Sequence, residues 1–180
     1  MSVSGAALQA IFRNPLVDPY VLGLSSGAAF GAALALWSAW LPVQLSAFVF
    51  AMAAVALSYF MARKKGQVSI VSLILAGIIT NGIFTALLTI VQILSDPFKL
   101  QSIVHWTMGN FHTANWLKVQ QAILPMLFGI AVLLILRWKL NVLALGDEEA
   151  AAVGIHPARL KWWSLLGVTL ASSAAIAVSG

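Results

Sequence analysis

Five apolar stretches of about 20 residues, the length with which an α-helix crosses a bilayer, contain no Asp, Glu, Lys or Arg. One Lys or Arg at the centre of a membrane helix costs about 2.5–3.5 kcal/mol, so this exclusion of charge indicates helices that span a membrane. The alternation in ten-residue blocks that is typical of a membrane β-barrel is absent. The predicted spans are residues 20–40, 43–62, 68–94, 119–136 and 162–180.

The amino-acid composition excludes a soluble globular enzyme. Only 8% of the 180 residues are charged, whereas a soluble domain has about 25%. The hydrophobic content of 61% also excludes a disordered chain. A first apolar stretch, residues 1–12, is too short to span a bilayer. We therefore predict an all-α polytopic transmembrane protein, with a partial N-terminal helix, about five full spans and a single domain over residues 1–180.

The basic residues predict the orientation in the membrane. With five spans, eight of the ten basic residues fall on one side, and only Lys99 and Lys118 fall on the other. Because Lys and Arg accumulate in cytoplasmic loops, the basic side is predicted to be cytoplasmic in a multi-pass protein of the cell membrane. This topology accounts for the net charge of +5 without a nucleic-acid partner. The residues on the basic side are Arg13, Arg63, Lys64, Lys65, Arg137, Lys139, Arg159 and Lys161.

Three glycines spaced four residues apart, Gly23, Gly27 and Gly31, are predicted to share one face of the first span. Small residues allow membrane helices to approach closely, where no hydrophobic force draws them together. Two interpretations remain open at this point. The glycines serve packing alone, or they let this helix slide or rock against a neighbour.

A polar stripe runs along the third span. It consists of Asn81, Thr85, Thr89 and Gln92, whose spacing keeps them within about 80° of one another on a helix of 3.6 residues per turn. Polar side chains in hydrocarbon are costly unless they face protein or water. The stripe is therefore predicted to face either a partner helix or an aqueous path.

An acidic trio, Asp147, Glu148 and Glu149, opens an alanine-rich run between the fourth and fifth spans. Negative charge favours the N-terminus of a helix, Gly146 suits a bend before it, and Gly154 with Pro157 suits its end. The run therefore predicts a short cytoplasmic helix. It is either a solvated loop helix or a docking helix for a cytoplasmic partner.

No catalytic or metal-binding pattern is present in the sequence. The absence of cysteine excludes thiolate metal sites and cysteine nucleophiles. Metal binding needs several ligands at a fixed geometry, but His105 and His112 are predicted on the outer side with no carboxylate cluster beside them, and His156 is predicted on the inner side. The glycine-rich residues 23–31 lack the Lys and Ser/Thr of a phosphate loop. We expect no cofactor, no metal and no enzymatic activity in this chain.

Four groups of residues carry a resemblance to a known family. They are residues 4–6, 9, 13–20 and 27–29; residues 75–77; residues 105–111 with Trp116; and residues 140–155. Together, in this order and at this spacing, they resemble the iron-siderophore, haem and vitamin B12 family of ABC importer permeases. The resemblance implies two permease copies, a dimer of cytoplasmic ABC ATPases that hydrolyses the ATP, and an extracytoplasmic substrate-binding protein.

The resemblance also implies roles for particular residues. The helix that carries Asn81 and Thr85 lines the transport path, which would extend along the stripe to Thr89 and Gln92. A cytoplasmic coupling loop docks in a cleft of the ATPase, and replacing Gly146 or the acidic trio is expected to uncouple ATP hydrolysis from uptake. The implied contact residues are Leu145, Gly146, Asp147, Glu148, Glu149, Ala150 and Gly154.

Family members have more spans than this chain, which resembles their middle part. We therefore expect a permease segment of an importer for an iron-siderophore complex or a related metal chelate such as haem or cobalamin. The alternative is a truncated, non-transporting membrane scaffold that binds a cytoplasmic partner through the same short helix. A secondary transporter is disfavoured, because that class uses charges within the membrane for ion coupling, and the predicted spans have none.

Overall fold

The computed structural model describes residues 1–64, 67–109 and 115–179, and helices dominate this part of the chain. A 3₁₀ turn, Pro19–Leu22, precedes α2, and a small antiparallel hairpin pairs β1 (Arg63–Lys64) with β2 (Gln67–Val68). The eight α-helices of the described residues are α1 (Ser2–Phe12), α2 (Leu24–Ser38), α3 (Val43–Ala62), α4 (Ile70–Leu94), α5 (Pro97–Thr107), α6 (Trp116–Leu145), α7 (Asp147–Ala152) and α8 (Pro157–Ser179). The predictions that fall outside the described residues concern Lys65, Asn110, Phe111, His112 and Gly180.

Four of the described helices are long and apolar enough to cross a membrane, namely α3, α4, α6 and α8. The prediction of an all-α polytopic membrane protein is confirmed. The first predicted span differs, because the 3₁₀ turn and the 15-residue α2 share its length. Gly23 separates them with a φ of 79°, which glycine adopts without steric cost. At 1.5 Å per residue α2 is about 23 Å long, shorter than the hydrocarbon core of about 30 Å.

The longest helix, α6, extends beyond the span predicted for it. It has 30 residues and is therefore about 45 Å long. Arg137 and Lys139, which were predicted to follow the span, lie within the last third of α6. The helix ends at Leu145, one residue before the predicted bend at Gly146. As a result α6 carries the chain from the bundle directly to the short helix α7.

Helix α8 is the most buried of the four long helices and packs against α6, α3 and α1. Helix α8 crosses α6 where Gly167 of α8 packs against Gly129 of α6. A Cβ on Gly129 would lie 2.6 Å from the carbonyl oxygen of Gly167. Close approach of this kind strengthens van der Waals packing between membrane helices. The buried Thr169 hydroxyl donates to the carbonyl of Leu165 one turn earlier, over 2.6 Å. Thr169 is thus satisfied within α8, whereas the buried hydroxyls of Ser164 and Ser172 have no hydrogen-bond partner among the described residues.

The three glycines that the sequence predicts on one helix face contact two different helices, α3 and α4. A Cβ on Gly27 would lie 2.6 Å from the carbonyl oxygen of Phe50, and one on Gly31 would lie 2.5 Å from that of Ser46, so both glycines face α3. The Ser46 hydroxyl donates to the Gly31 carbonyl over 2.7 Å and ties the two helices together. Gly23 precedes α2 and packs instead against Thr80 of α4.

The two ends of the bundle differ in charge. At one end Lys99 donates to the carbonyl of Trp37 over 2.8 Å, which links α5 to the end of α2. At the other end Arg13, the hairpin, α7 and the start of α8 come together. We call this second end the basic end, because it carries Arg13, Lys161 and the first strand of the hairpin. It corresponds to the side that the sequence predicts to be cytoplasmic.

Candidate functional site

The carboxylate of Asp147, the first residue of α7, binds two cations from distant parts of the chain. Its Oδ1 accepts from Nη2 of Arg13 at 2.7 Å, and its Oδ2 accepts from Nζ of Lys161 at 2.6 Å. Arg13 directly follows α1, and Lys161 lies in the second turn of α8. One side chain therefore ties α7 to two helices of the bundle.

Lys161 is almost completely buried, with 2% of its surface exposed. A buried ammonium group is costly unless it is paired and hydrogen-bonded. Its Nζ meets this requirement by donating to Asp147 and, over 3.2 Å, to the carbonyl oxygen of Val68. Because Val68 ends the hairpin just before α4, Lys161 connects α7, α8 and the beginning of α4.

Arg13 reaches Asp147 from an ordered turn. Its own φ of 51° ends α1 in the left-handed region. The loop that follows is held by side chains: Gln9 donates to the carbonyl of Pro15 over 2.9 Å, and Asn14 accepts from the amide of Leu16 over 2.9 Å. Asn and Asp side chains favour turns through such local bonds. The guanidinium of Arg13 is thereby held beside α7.

The short helix α7 begins and ends as its sequence predicts. Its first turn carries three acidic residues, which the positive end of the helix dipole favours. At its other end Gly154 has a φ of +80°. The amides of Ile155 and Gly154 donate to the carbonyls of Ala150 at 2.9 Å and Ala151 at 3.0 Å, which is the Schellman pattern. This geometry stops α7 after six residues.

Two small residues, Gly146 and Ala150, determine how α7 packs against the bundle. A Cβ on Gly146 would overlap the carboxylate of Glu149, which folds back over the start of α7. Ala150 is fully buried and belongs to the main hydrophobic core. A larger side chain at position 146 would displace Glu149, and a larger one at 150 would push α7 away from the bundle. Both positions therefore fix how α7 sits against α6 and α8.

The opposite side of α7 is uncovered by the described part of the chain. Leu145 is 73% exposed and Val153 is 65% exposed, and Glu148 and Glu149 are also exposed. Beside them lies an open groove of ≈ 450 Å³. We call Leu145, Glu148, Glu149 and Val153 the outer face of α7. The residues that line the groove are Arg13, Ser69, Ile70, Leu145, Asp147, Glu148, Glu149 and Lys161.

The polar stripe lies on α4 and points away from the rest of this chain. Asn81, Thr85 and Thr89 are exposed and Gln92 is half-buried. The face of α4 that packs against the bundle lies about 120° around the helix and is formed by Leu73, Ala76, Gly77, Thr80, Phe84 and Val91. The Thr89 hydroxyl donates to the carbonyl of Thr85 over 2.9 Å. The side chains of Asn81, Thr85 and Gln92 therefore need water or a further protein surface to satisfy their polar groups.

The structure connects the groove and the stripe through one helix. Ser69 and Ile70 line the groove, and Ser69 caps α4 by accepting from the amide of Ser72 over 3.1 Å. Asn81 lies 11 residues further along α4, or about 17 Å. The two groups of predicted residues are thus separate in space but joined by a rigid element.

Sequence reasoning missed the partners of Asp147. Arg13 and Lys161 entered only as topology signals, because separations of 134 and 14 residues along the chain give no pairing pattern. A weak signal does exist for Lys161: it lies close to a long uncharged stretch, where a Lys needs either water or a carboxylate. Asp147 was predicted as a contact with a partner, whereas its carboxylate binds groups of its own chain.

The described helices and the site define a class, namely a multi-pass membrane protein that carries a short acidic helix at its basic end. The chain belongs to the FecCD transport family, which it matches over residues 1–180. This finding confirms the resemblance to importer permeases and the location in the cell membrane.

Individual relatives agree with this assignment. The molybdate import system permease protein MolB of Haemophilus influenzae is 40% identical over 183 residues, covering 100% of this chain and 54% of the relative. The cobalamin import system permease protein BtuC of Halobacterium salinarum is 33% identical over 186 residues, covering 100% of this chain and 49% of the relative. The chain spans about half the length of the curated relatives it matches.

A solved structure has the same fold. It is described as an inward-facing conformation of a metal-chelate type ABC transporter and superposes with a TM-score of 0.92 at 39% sequence identity. The match covers 99% of this chain and 57% of the other. The arrangement of helices around α8 is therefore the arrangement of a transporter of known structure.

Replacing Asp147 by Asn tests the role of its carboxylate in the fold. The change leaves the buried Lys161 without an anion, and we expect a loss of about 2–3 kcal/mol of unfolding free energy. This is below the 3–5 kcal/mol for a fully buried pair, because the Asp147 side chain is 42% exposed. Denaturant unfolding in micelles measures the loss.

Two further variants complete this test. Glu148→Gln, a matched change at an exposed neighbour, should alter stability by less than about 0.5 kcal/mol. Lys161→Met removes the buried charge itself, so the double variant Asp147→Asn/Lys161→Met should be more stable than Asp147→Asn alone. Strictly additive effects of the two changes would contradict a direct ion pair.

Proposed function

We propose that this chain forms part of the membrane-spanning permease subunit of an ATP-driven importer for a metal-containing ligand such as an iron-siderophore complex, haem or cobalamin. One observation carries the proposal: α7 is held to the bundle by Asp147 on one side and leaves its outer face uncovered on the other. Residues 1–180 act as one transmembrane domain, since every helix except α5 contributes buried residues to a shared core and α5 packs Trp106 against that core.

The outer face of α7 is suited to dock on a cytoplasmic ABC ATPase. It combines an exposed leucine and valine with two carboxylates, and such a mixture fits a cleft that has an apolar floor and a basic rim. Gly146, Ala150 and Gly154 contribute indirectly, because they fix the position and the length of α7. ATP hydrolysis belongs to the ATPase dimer in this proposal, and the chain itself is not an enzyme.

Movement of α7 has a defined route into the membrane. Asp147 transmits it to Arg13 after α1 and to Lys161 on α8. Lys161 transmits it further to Val68, which lies two residues before α4. An ATPase that pulls or tilts α7 would thereby move the helices of the bundle together, because the ion pairs of Asp147 with Arg13 and Lys161 join these helices to α7.

The stripe of Asn81, Thr85, Thr89 and Gln92 is the proposed wall of the transport path. Its exposure in this chain leaves room for a second permease copy, so that the path would run between two copies. The stripe offers amides and hydroxyls and no charge. An uncharged wall would bind a charged or bulky ligand weakly, which suits passage, whereas a substrate-binding protein on the outer side would select the ligand.

The ligand class is proposed from the relatives. Two relatives are named for the import of molybdate and of cobalamin, and the similar structure is that of a metal-chelate type transporter. All three concern a ligand that contains a metal. The test of the ligand is binding by the substrate-binding protein that works with this chain, and failure of every metal-containing ligand would contradict this part of the proposal.

Leu145→Ser tests docking on the outer face of α7. Losing the burial of one leucine should weaken binding of the partner ATPase by about tenfold, measured as the dissociation constant in detergent. Leu41→Ser is the matched control, since Leu41 is 50% exposed at the opposite end of the bundle. Equal affinities for both variants would contradict docking of the ATPase through the outer face of α7.

Thr85→Cys tests whether the stripe lines a water-filled path. The protein has no cysteine, so each introduced thiol is labelled alone. Ile90→Cys is the control, because Ile90 is 53% exposed but lies on the opposite side of α4 from the stripe. An impermeant maleimide, added from outside to the assembled transporter, should label the thiol at position 85 about tenfold faster, since thiols ionise in water and not in lipid.

The position of Ile90 along α4 separates exposure to water from depth in the membrane. Residue 90 is nearer than residue 85 to the outer end of α4, so simple depth in the membrane would make the control thiol react first. Faster labelling at position 85 therefore requires water along the stripe. Equal or slower labelling at position 85 would mean that the stripe packs against protein and does not line the path.

A further inference from the structure

A second pocket at the basic end combines aromatic rings with two arginines. It has a volume of ≈ 220 Å³ and lies between the end of α3 and the start of α8. None of its residues belongs to the groove beside α7. The pocket is lined by Tyr59, Phe60, Arg63, Ala158, Arg159 and Trp162.

Three rings form the apolar wall of this pocket. The ring centroids of Tyr59 and Trp162 are 4.7 Å apart, and Phe60 lies 5.8 Å from Tyr59 and 6.0 Å from Trp162. Tyr59 is buried, whereas 58% of the surface of Phe60 is exposed. The contact joins α3 to α8 and gives the pocket a rigid apolar floor with one open side.

Two positive charges stand at the rim without a counter-charge from this part of the chain. Arg63 and Arg159 are both exposed, and the ion pairs among the described residues involve Arg13, Lys99 and Lys161 instead. The acidic residues nearest to Arg159 along the chain, Glu148 and Glu149, form no ion pair with either arginine among the described residues, and Asp147 is already bound by two cations. The rim therefore attracts an anion.

The position in the membrane selects the kind of anion. Helix α3 is a 20-residue apolar span that ends at Ala62, so Tyr59 and Phe60 occupy its last turn and Arg63 follows it directly. Aromatic rings and then basic residues in this order mark the boundary between hydrocarbon and cytoplasmic water. Lipid phosphates lie at that depth, and the cytoplasmic leaflet holds the anionic lipids.

We propose that this pocket binds the headgroup of an anionic phospholipid of the cytoplasmic leaflet. Arg63 and Arg159 contact the phosphate, because guanidinium groups match phosphate oxygens in geometry and charge. The rings of Phe60 and Trp162 contact the glycerol and the first acyl carbons. The lipid bridges the end of α3 to the start of α8 from outside the bundle. The inference rests on this pocket alone and is independent of the transport function proposed above.

Native mass spectrometry of the full chain, purified in detergent and mixed with phosphatidylglycerol or phosphatidylcholine, tests the site. We expect one phosphatidylglycerol to be retained in preference to phosphatidylcholine. Arg63→Gln and Arg159→Gln should each weaken this binding by about fivefold, and the double variant by about thirtyfold. Equal retention of both lipids by the unaltered chain would overturn the proposal and leave the arginines to an acidic protein surface.

Two controls separate the site from general charge attraction and from misfolding. Arg137→Gln removes an exposed arginine that lies 5.8 Å from the Trp138 ring outside the pocket, and it should leave lipid retention unchanged. Arg63→Lys/Arg159→Lys keeps both charges but loses the planar fork of the guanidinium groups, so binding should fall clearly, though less than in the double Gln variant. Full retention of binding in the double Lys variant, or a loss in Arg137→Gln as large as that in the double Gln variant, would contradict a built headgroup site.

Competition with inorganic phosphate distinguishes a lipid from a free anion. Inorganic phosphate at millimolar concentration should fail to displace phosphatidylglycerol, because it lacks the acyl and glycerol groups that contact the rings. Displacement by inorganic phosphate would show that the arginines bind a soluble anion and would overturn the assignment to a lipid.

Discussion

The carboxylate of Asp147 holds the basic end of this protein together. A lysine as deeply buried as Lys161 is tolerated only because Asp147 and the carbonyl of Val68 accept hydrogen bonds from it. The same carboxylate takes Arg13 on its other oxygen. Without it, α7 would remain attached to the bundle mainly through the small side chain of Ala150. The position of the short helix thus depends on one ion-paired residue.

The two sides of α7 therefore have different roles. The inward side of α7 carries the ion pairs and a buried alanine, and the outward side leaves Leu145, Glu148 and Glu149 exposed at the basic end. A partner that binds the outward side would act on the bundle without touching it. Because α4 starts beside the groove and bears the polar stripe, a displacement at the basic end would also reach the proposed transport path.

Much of this could be predicted from the sequence, since charge exclusion and glycine spacing act locally. The spans of α3 and α4, the short helix after Gly146 and its end near Gly154 follow from such signals. The break at Gly23 was missed, because an apolar stretch does not reveal a left-handed residue within it. The pairing of Asp147 with Arg13 was also missed, since it joins residues 134 positions apart and depends on how the helices pack.

The most direct test of the account measures how many ATP molecules are hydrolysed for each ligand taken up, in liposomes that contain the assembled transporter with its ATPase and binding protein. With Asp147→Asn we expect that the ATPase still binds and hydrolyses ATP while uptake falls, so that the ratio of ATP to ligand rises several-fold. A folded Asp147→Asn transporter with an unchanged ratio would contradict the claim that this carboxylate transmits the movement of α7.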